Sequence, residues 1–187
     1  RAWMLAFALI SWTGWADSFT SVTNGNFSDA ATWDLASGFP NLTGADNATA
    51  TNALVHITPY APVGGDFTIR GGSSLVLDQA ASWGQTGSTA WIRIADQNST
   101  GTLDLRSGVF SNGTAVNLQI GGFTAGALGL VKVGDDVGAI SSAVLRAGAQ
   151  NISLGRDVGS TGVLTVASDG AVETTGLHLG ADKDGNG

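Results

Sequence analysis

Four stretches of this chain repeat one pattern, and a chain that repeats itself at a near-fixed interval is confined to few architectures. The stretches are WIRIADQNSTGTLDL, NLQIGGFTAGALGLVKV, NISLGRDVGSTGVLTV and GLHLGADKDGNG. Each opens on an apolar-x-apolar strand: Ile92 and Ile94, Leu118 and Ile120, Ile152 and Leu154, Leu177 and Leu179. A polar or glycine-containing loop follows, ending at Gly101, Gly126, Gly162 or Gly187. In the first three copies a second such strand comes next: Leu103 and Leu105, Leu128 and Leu130, Leu164 and Val166. Ile94, Ile120, Leu154 and Leu179 lie 26, 34 and 25 residues apart, and the long interval carries GDDVGAISS (Gly134 to Ser142) as a loop insertion. A weaker copy, DFTIRGGSSLVLD, with Phe67, Ile69, Leu75 and Leu77, puts the start of the array near residue 67.

Strands of three to five residues that alternate in polarity turn one row of aliphatic side chains inward. Burying each is worth roughly 1.5–3 kcal/mol, whereas ordering the backbone costs about 1–2 kcal/mol per residue. One repeat of this length cannot stand alone. Stacked repeats can, because neighbours share a continuous core and pair along their strand edges. The expectation is an all-β chain, a parallel β-helix (β-solenoid) with a capping segment ahead of it. An antiparallel sandwich is the competing architecture, and recurrence of one motif at a near-constant interval favours the solenoid.

Composition agrees. Charged residues are 12% of the chain and glycine is 28 of 187 against three prolines. Glu173 is the only glutamate, and Lys132 and Lys183 are the only lysines. Helices draw on Glu, Lys and Gln; turns draw on Gly, Asp, Asn, Ser and Thr, which this chain has in abundance. The formal net charge is -7, with basic residues scattered along the chain. Nucleic acid is therefore excluded as an expected partner, and an anionic membrane surface is disfavoured.

Residues 1–16 read as a secretory signal peptide truncated at its basic end. Ala2 to Ile10 form the apolar core, and Gly14 and Ala16 put small residues before a cleavage site. A buried first strand or helix is the alternative. The apolar run is far short of the ~20 residues that span a bilayer as a helix, so no membrane span is expected in this fragment. An exported chain with no cysteine must gain its stability without disulfides, and a repeat stack is one such route. Residues 17–66, with Trp33 and Phe39 as lids, are expected to cap the stack, and residues 67–187 to form the repeats, which continue past the last residue.

The pattern LxLGxDxGSxGxLxVxxGAxV over residues 92–187, and more loosely 67–91, resembles the repeat of autotransporter-like (type V secretion) passengers and of PEP-CTERM-associated bacterial surface proteins. That resemblance implies an extracellular or outer cell surface location and a β-helical fold.

Asp182, Asp184 and Asn186 spell D-x-D-x-N-G with Gly187, the first half of a calcium loop with oxygen ligands at alternate positions. The same residues are in register with an ordinary turn, Asp182 aligning with Asp157 and Gly187 with Gly162, and the turn reading is preferred. Asp135 and Asp136 offer a pair of carboxylates in the inserted loop, which reads more simply as a solvated acidic loop. His56 and His178 stand alone in sequence, and alternation points His178 outward. Asp104 and Arg106 flank Leu105 on the outward side of one strand. Their counterparts Thr165 and Ala167 are uncharged, so no charged stripe is expected. Trp83 and Trp91 could stack on sugars, but read more simply as packing residues at the cap junction. The expected function is a non-enzymatic exported surface or structural repeat protein with an adhesive role. The cell envelope or an extracellular polysaccharide is the expected partner. A carbohydrate-binding or carbohydrate-active β-helix is the alternative.

Overall fold

The computed structural model describes residues 17–35, 38–40, 46–57, 60–63, 65–78, 82–85, 91–112, 117–122, 124–135, 142–148 and 151–180. The segment read as a signal peptide lies outside them. The apolar-x-apolar triplets are strands, and the chain is all-β with parallel sheets. Numbered in chain order, the strands fall into three sheets. The first holds β1 (Ser18–Thr20), β3 (Asn47–Thr51), β6 (Phe67–Arg70), β9 (Ile92–Ile94), β12 (Leu118–Ile120), β15 (Ile152–Leu154) and β18 (Leu177–Leu179). The second runs through β2 (Gly25–Asn26), β4 (Leu54–Ile57), β7 (Ser73–Leu77), β10 (Thr100–Leu105), β13 (Leu128–Val133) and β16 (Thr161–Val166). The third holds β5 (Tyr60–Val63), β8 (Ser82–Gln85), β11 (Gly108–Ser111), β14 (Ala143–Arg146) and β17 (Gly170–Glu173).

From β3 onward each strand pairs in parallel with the strand three further along the chain, so successive triplets visit the sheets in the same order. This arrangement is compatible with a parallel β-helix. The first-sheet register is Ile94 to Ile120 to Leu154 to Leu179, the alignment that the repeat itself suggests. The extra residues of the long interval fall between Val133 and Ala143, at the passage from second to third sheet.

In the second sheet the register differs from the sequence alignment. Leu103 and Leu105 pair not with Leu128 and Leu130 but with Val131 and Val133, three residues further on. Val131 and Val133 are buried, whereas Leu128 and Leu130 are only half-buried on the outer face. Glycine decides the matter. Gly101, Gly129 and Gly162 form one column in register. A Cβ on them would lie 2.1, 2.3 and 2.1 Å from the carbonyl oxygens of Ile69, Ile94 and Ile120. Those carbonyls accept the turn hydrogen bonds from the N–H groups of Ala95, Gly121 and Gly155. Only a residue without a side chain fits beside them, and Gly129, rather than Gly126, is the one that aligns.

The core is a set of columns running through the triplets. Phe67, Ile92, Leu118 and Ile152 line one wall, Leu75, Leu103 and Val131 the second, and Trp83, Phe110 and Leu145 the third; all are buried. The sheets extend upstream of residue 67, because β1 to β5 join the same three sheets. At this end a short 3-10 helix, Ala30–Thr32, is capped by Asp29, whose Oδ1 accepts the Ala31 N–H at 3.0 Å. It delivers Trp33 edge-on against Phe19 and Phe27, and its Nε1 donates to the Phe27 carbonyl at 2.8 Å. Trp33 is buried, as a lid requires; Phe39 is exposed and closes nothing.

Candidate functional site

The outer face of the second sheet carries the richest grouping of ionisable side chains among the described residues. Strand alternation creates it. While Leu75, Leu77, Leu103 and Leu105 face the core, the residues between them face out, and parallel register lines them up across strands. His56, Val76, Asp104, Lys132 and Thr165 form one such row on β4, β7, β10, β13 and β16. One step further along, Asp78 and Arg106 follow the ends of β7 and β10, where the Arg106 N–H donates to the Leu77 carbonyl at 2.9 Å.

Two side-chain contacts, one of them an ion pair, organise the patch. His56 Nδ1 lies 3.5 Å from Asp78 Oδ2, and Arg106 Nε donates to Asp104 Oδ2 at 2.8 Å. The second oxygen of each acid, Oδ1 of Asp78 and of Asp104, is shielded from solvent and accepts no hydrogen bond from the described residues. The Asp104 carboxylate is held by the Arg106 guanidinium and the Asp78 carboxylate lies against the His56 imidazole, so each acid is contacted through one oxygen. The groups left facing outward are donors. The Arg106 side chain is 48% exposed and that of His56 35%, while Lys132 is exposed and forms no ion pair among the described residues. Val76, 2% exposed, is the apolar floor between them.

Asp104 and Arg106 are thus brought together as the sequence places them, and His56 joins the same face. Asp78 and Lys132 were not legible as their neighbours. Lys132 sits on the flanking strand β13 and Asp78 just past the end of β7, and only the glycine-set register reveals that Lys132 stands between Asp104 and Thr165 in the row.

The remaining candidates separate. Asp182, Asp184 and Asn186 lie outside the described residues, as does Asp136. The turn that aligns with them, at Asp157, is closed by hydrogen bonds: the Ser160 hydroxyl donates to the Asp157 carbonyl at 2.6 Å and accepts its N–H at 3.1 Å. No three metal-ligating side chains cluster among the described residues. The Asp135 N–H is held by the Asp169 carboxylate at 3.1 Å, an anchor for the start of the inserted loop. His178 follows Ser153 in register on β18 and is exposed. Trp83 is buried in the core, so it cannot meet a sugar. Trp91 is half-buried and its ring is faced by the Arg93 guanidinium at 5.8 Å, which in turn bonds Asp66 Oδ2 at 3.0 Å. A shallow cleft at the last described corner, lined by Leu154, Gly155, Ser160, Thr161, Gly162, Leu179 and Gly180, holds no ionisable group. Among the described residues no helix is long and apolar enough to cross a membrane. Comparison with protein-family models, curated proteins and solved structures finds no match for this chain.

Proposed function

We propose that the chain is a β-solenoid exported to the cell surface, where the stack itself and the faces it displays are the function, with no chemistry of its own. This is the role implied by its resemblance to autotransporter-like and PEP-CTERM-associated surface repeats. One observation carries the reading: from β3 to β18, every strand pairs in parallel with the strand three further on, so each triplet templates the next. Such an array lengthens by adding copies without redesigning its core, which suits a display scaffold. Labelling of intact cells of the source organism with an antibody to this chain, alongside a cytoplasmic control, tests it. Surface label is expected. Label that appears only after lysis contradicts the proposal.

A second reading, a carbohydrate-binding β-helix, is favoured by one feature, the charged patch over Val76. It displaces the aromatic residues Trp83 and Trp91 as the basis for contact with a glycan.

A further inference from the structure

From the second-sheet patch we infer that this face binds a polysaccharide bearing oxyanion groups, carboxylate or sulfate, laid along the stack axis. The inference rests on the proposed surface role, since such a polymer is met outside the cell.

The chemistry of the exposed groups selects the ligand. Asp78 and Asp104 are committed to His56 and Arg106. What remains outward is a guanidinium and an ammonium, hydrogen-bond donors with no acceptor, beside the half-exposed imidazole of His56. A ligand that satisfies them presents oxygens, and anionic oxygens bind cationic donors about twice as strongly as neutral ones. A neutral sugar recognised by stacking would need an open aromatic ring; Trp83 is buried, and Trp91 is half-buried with the Arg93 guanidinium 5.8 Å from its ring.

The geometry selects a polymer over a single ion. His56 and Lys132 stand in one row on β4 and β13, with Arg106 one step further along just past β10, so the group spans three strand spacings, about 14 Å at ~4.8 Å each. No small anion reaches across that distance, whereas an extended chain with a charge on successive units does. The net charge of -7 opposes an anionic polymer at long range. At physiological ionic strength that repulsion is screened beyond about 8 Å, leaving the local donors to decide. Nucleic acid, with its dense charge, lacks the broad basic face it would need here.

The test is titration of the purified chain with an oligogalacturonate, its methyl ester, a sulfated oligosaccharide and inorganic sulfate. Binding of the uronate or of the sulfated oligomer is expected, and which one binds names the source of the oxyanion. Esterification should weaken uronate binding by about tenfold or more, the worth of a charged hydrogen bond. Arg106→Gln and Lys132→Gln should each weaken binding by about five- to tenfold, with circular dichroism unchanged. Arg146→Gln, on the third sheet, should leave it unaltered. Absence of binding to every polymer, equal binding of acid and ester, or equal loss with Arg146→Gln overturns the inference. So does inorganic sulfate binding as tightly as the oligomers. A chain that labels at the cell surface yet fails these tests refutes the ligand alone; one that passes them but is confined to the cytoplasm refutes the surface role.

Discussion

Trp83 and Phe110 face each other in register on adjacent strands of the third sheet, with ring centroids 4.3 Å apart and planes 5° from parallel. Phe67 leans on Trp83 at 5.4 Å and Phe27 on Phe67 at 6.1 Å, so a run of rings joins Trp33 to Phe110. Residues 83 positions into the chain and 27 further on become neighbours only because one triplet lies on the next.

Removing either ring leaves a cavity that rigid strands cannot close. Phe110→Ala and Trp83→Ala should each cost about 3–5 kcal/mol. The double variant should cost less than the sum of the two, by roughly 0.5–1.5 kcal/mol for the lost stack. Urea unfolding of the four proteins of the cycle measures it; strict additivity would mean the rings do not touch.

Ala95 and Gly121 occupy the same corner in successive triplets, one place after Ile94 and Ile120, with φ of 69° and 67°. Their surroundings differ. Ala95 carries its methyl group there, whereas a Cβ on Gly121 would lie 1.9 Å from the Thr161 carbonyl oxygen. Ala95→Gly relieves a left-handed alanine and loses one buried methyl, so stability should stay within about 1 kcal/mol of the parent. Gly121→Ala should cost on the order of 3 kcal/mol or more. Thermal melting of the two variants checks the contrast, and similar behaviour would contradict the register at this corner.

Arg146 and Glu173 stand opposite each other on β14 and β17, with Nε bonded to Oε2 at 2.6 Å and the second fork at 3.3 Å. That hydrogen bond to Arg146 holds the Glu173 carboxyl below its ordinary value of 4.5. A lowered pKa means the contribution is present above the unfolded value and disappears as pH falls through the folded one. Glu173→Gln should therefore lower Tm slightly at neutral pH, and the difference should close as the solution is acidified below 4.5. Both residues are exposed, so added salt should shrink it too. Melting curves from pH 7 to pH 3 test this; a gap that widens in acid would contradict the pairing.

The Asp157 turn is closed by hydrogen bonds between its backbone and the Ser160 hydroxyl, and the hexapeptide from Asp182 to Gly187, which aligns with it in sequence, is read as the same kind of corner. Calcium should leave Tm unchanged, and a chelator likewise. A rise in Tm on calcium titration would instead assign the ion to Asp182, Asp184 and Asn186.

What could be read from the residues follows from how each constraint is written in them. Ile94, Ile120, Leu154 and Leu179 carried the first-sheet register because their strands are three residues long and leave no slack. β13 is six residues long, with apolar side chains at both parities, and LGLVKV offers two alignments that hydrophobicity cannot separate. The choice rests on a backbone collision at Gly129, which no composition reveals. The charged patch was hidden for the same reason. Asp104 and Arg106 were visible as a pair, but His56, Asp78 and Lys132 become their neighbours only once the long strands are aligned. Trp83 was legible as a packing residue, but its partner Phe110 was not, because only the third-sheet register brings the two rings together.

The second-sheet register is the claim on which core and patch both depend, and the chain has no cysteine to interfere with a direct test. Thr102 and Leu130 are in register on the outer faces of β10 and β13, within the Cα separation that a disulfide spans, about 4.4–6.8 Å. Leu128 is two residues out of step. Thr102→Cys with Leu130→Cys should oxidise to an intramolecular disulfide in the folded chain, seen by thiol titration and peptide mapping, while Thr102→Cys with Leu128→Cys should remain reduced. Efficient crosslinking of the second pair and not the first would contradict the account.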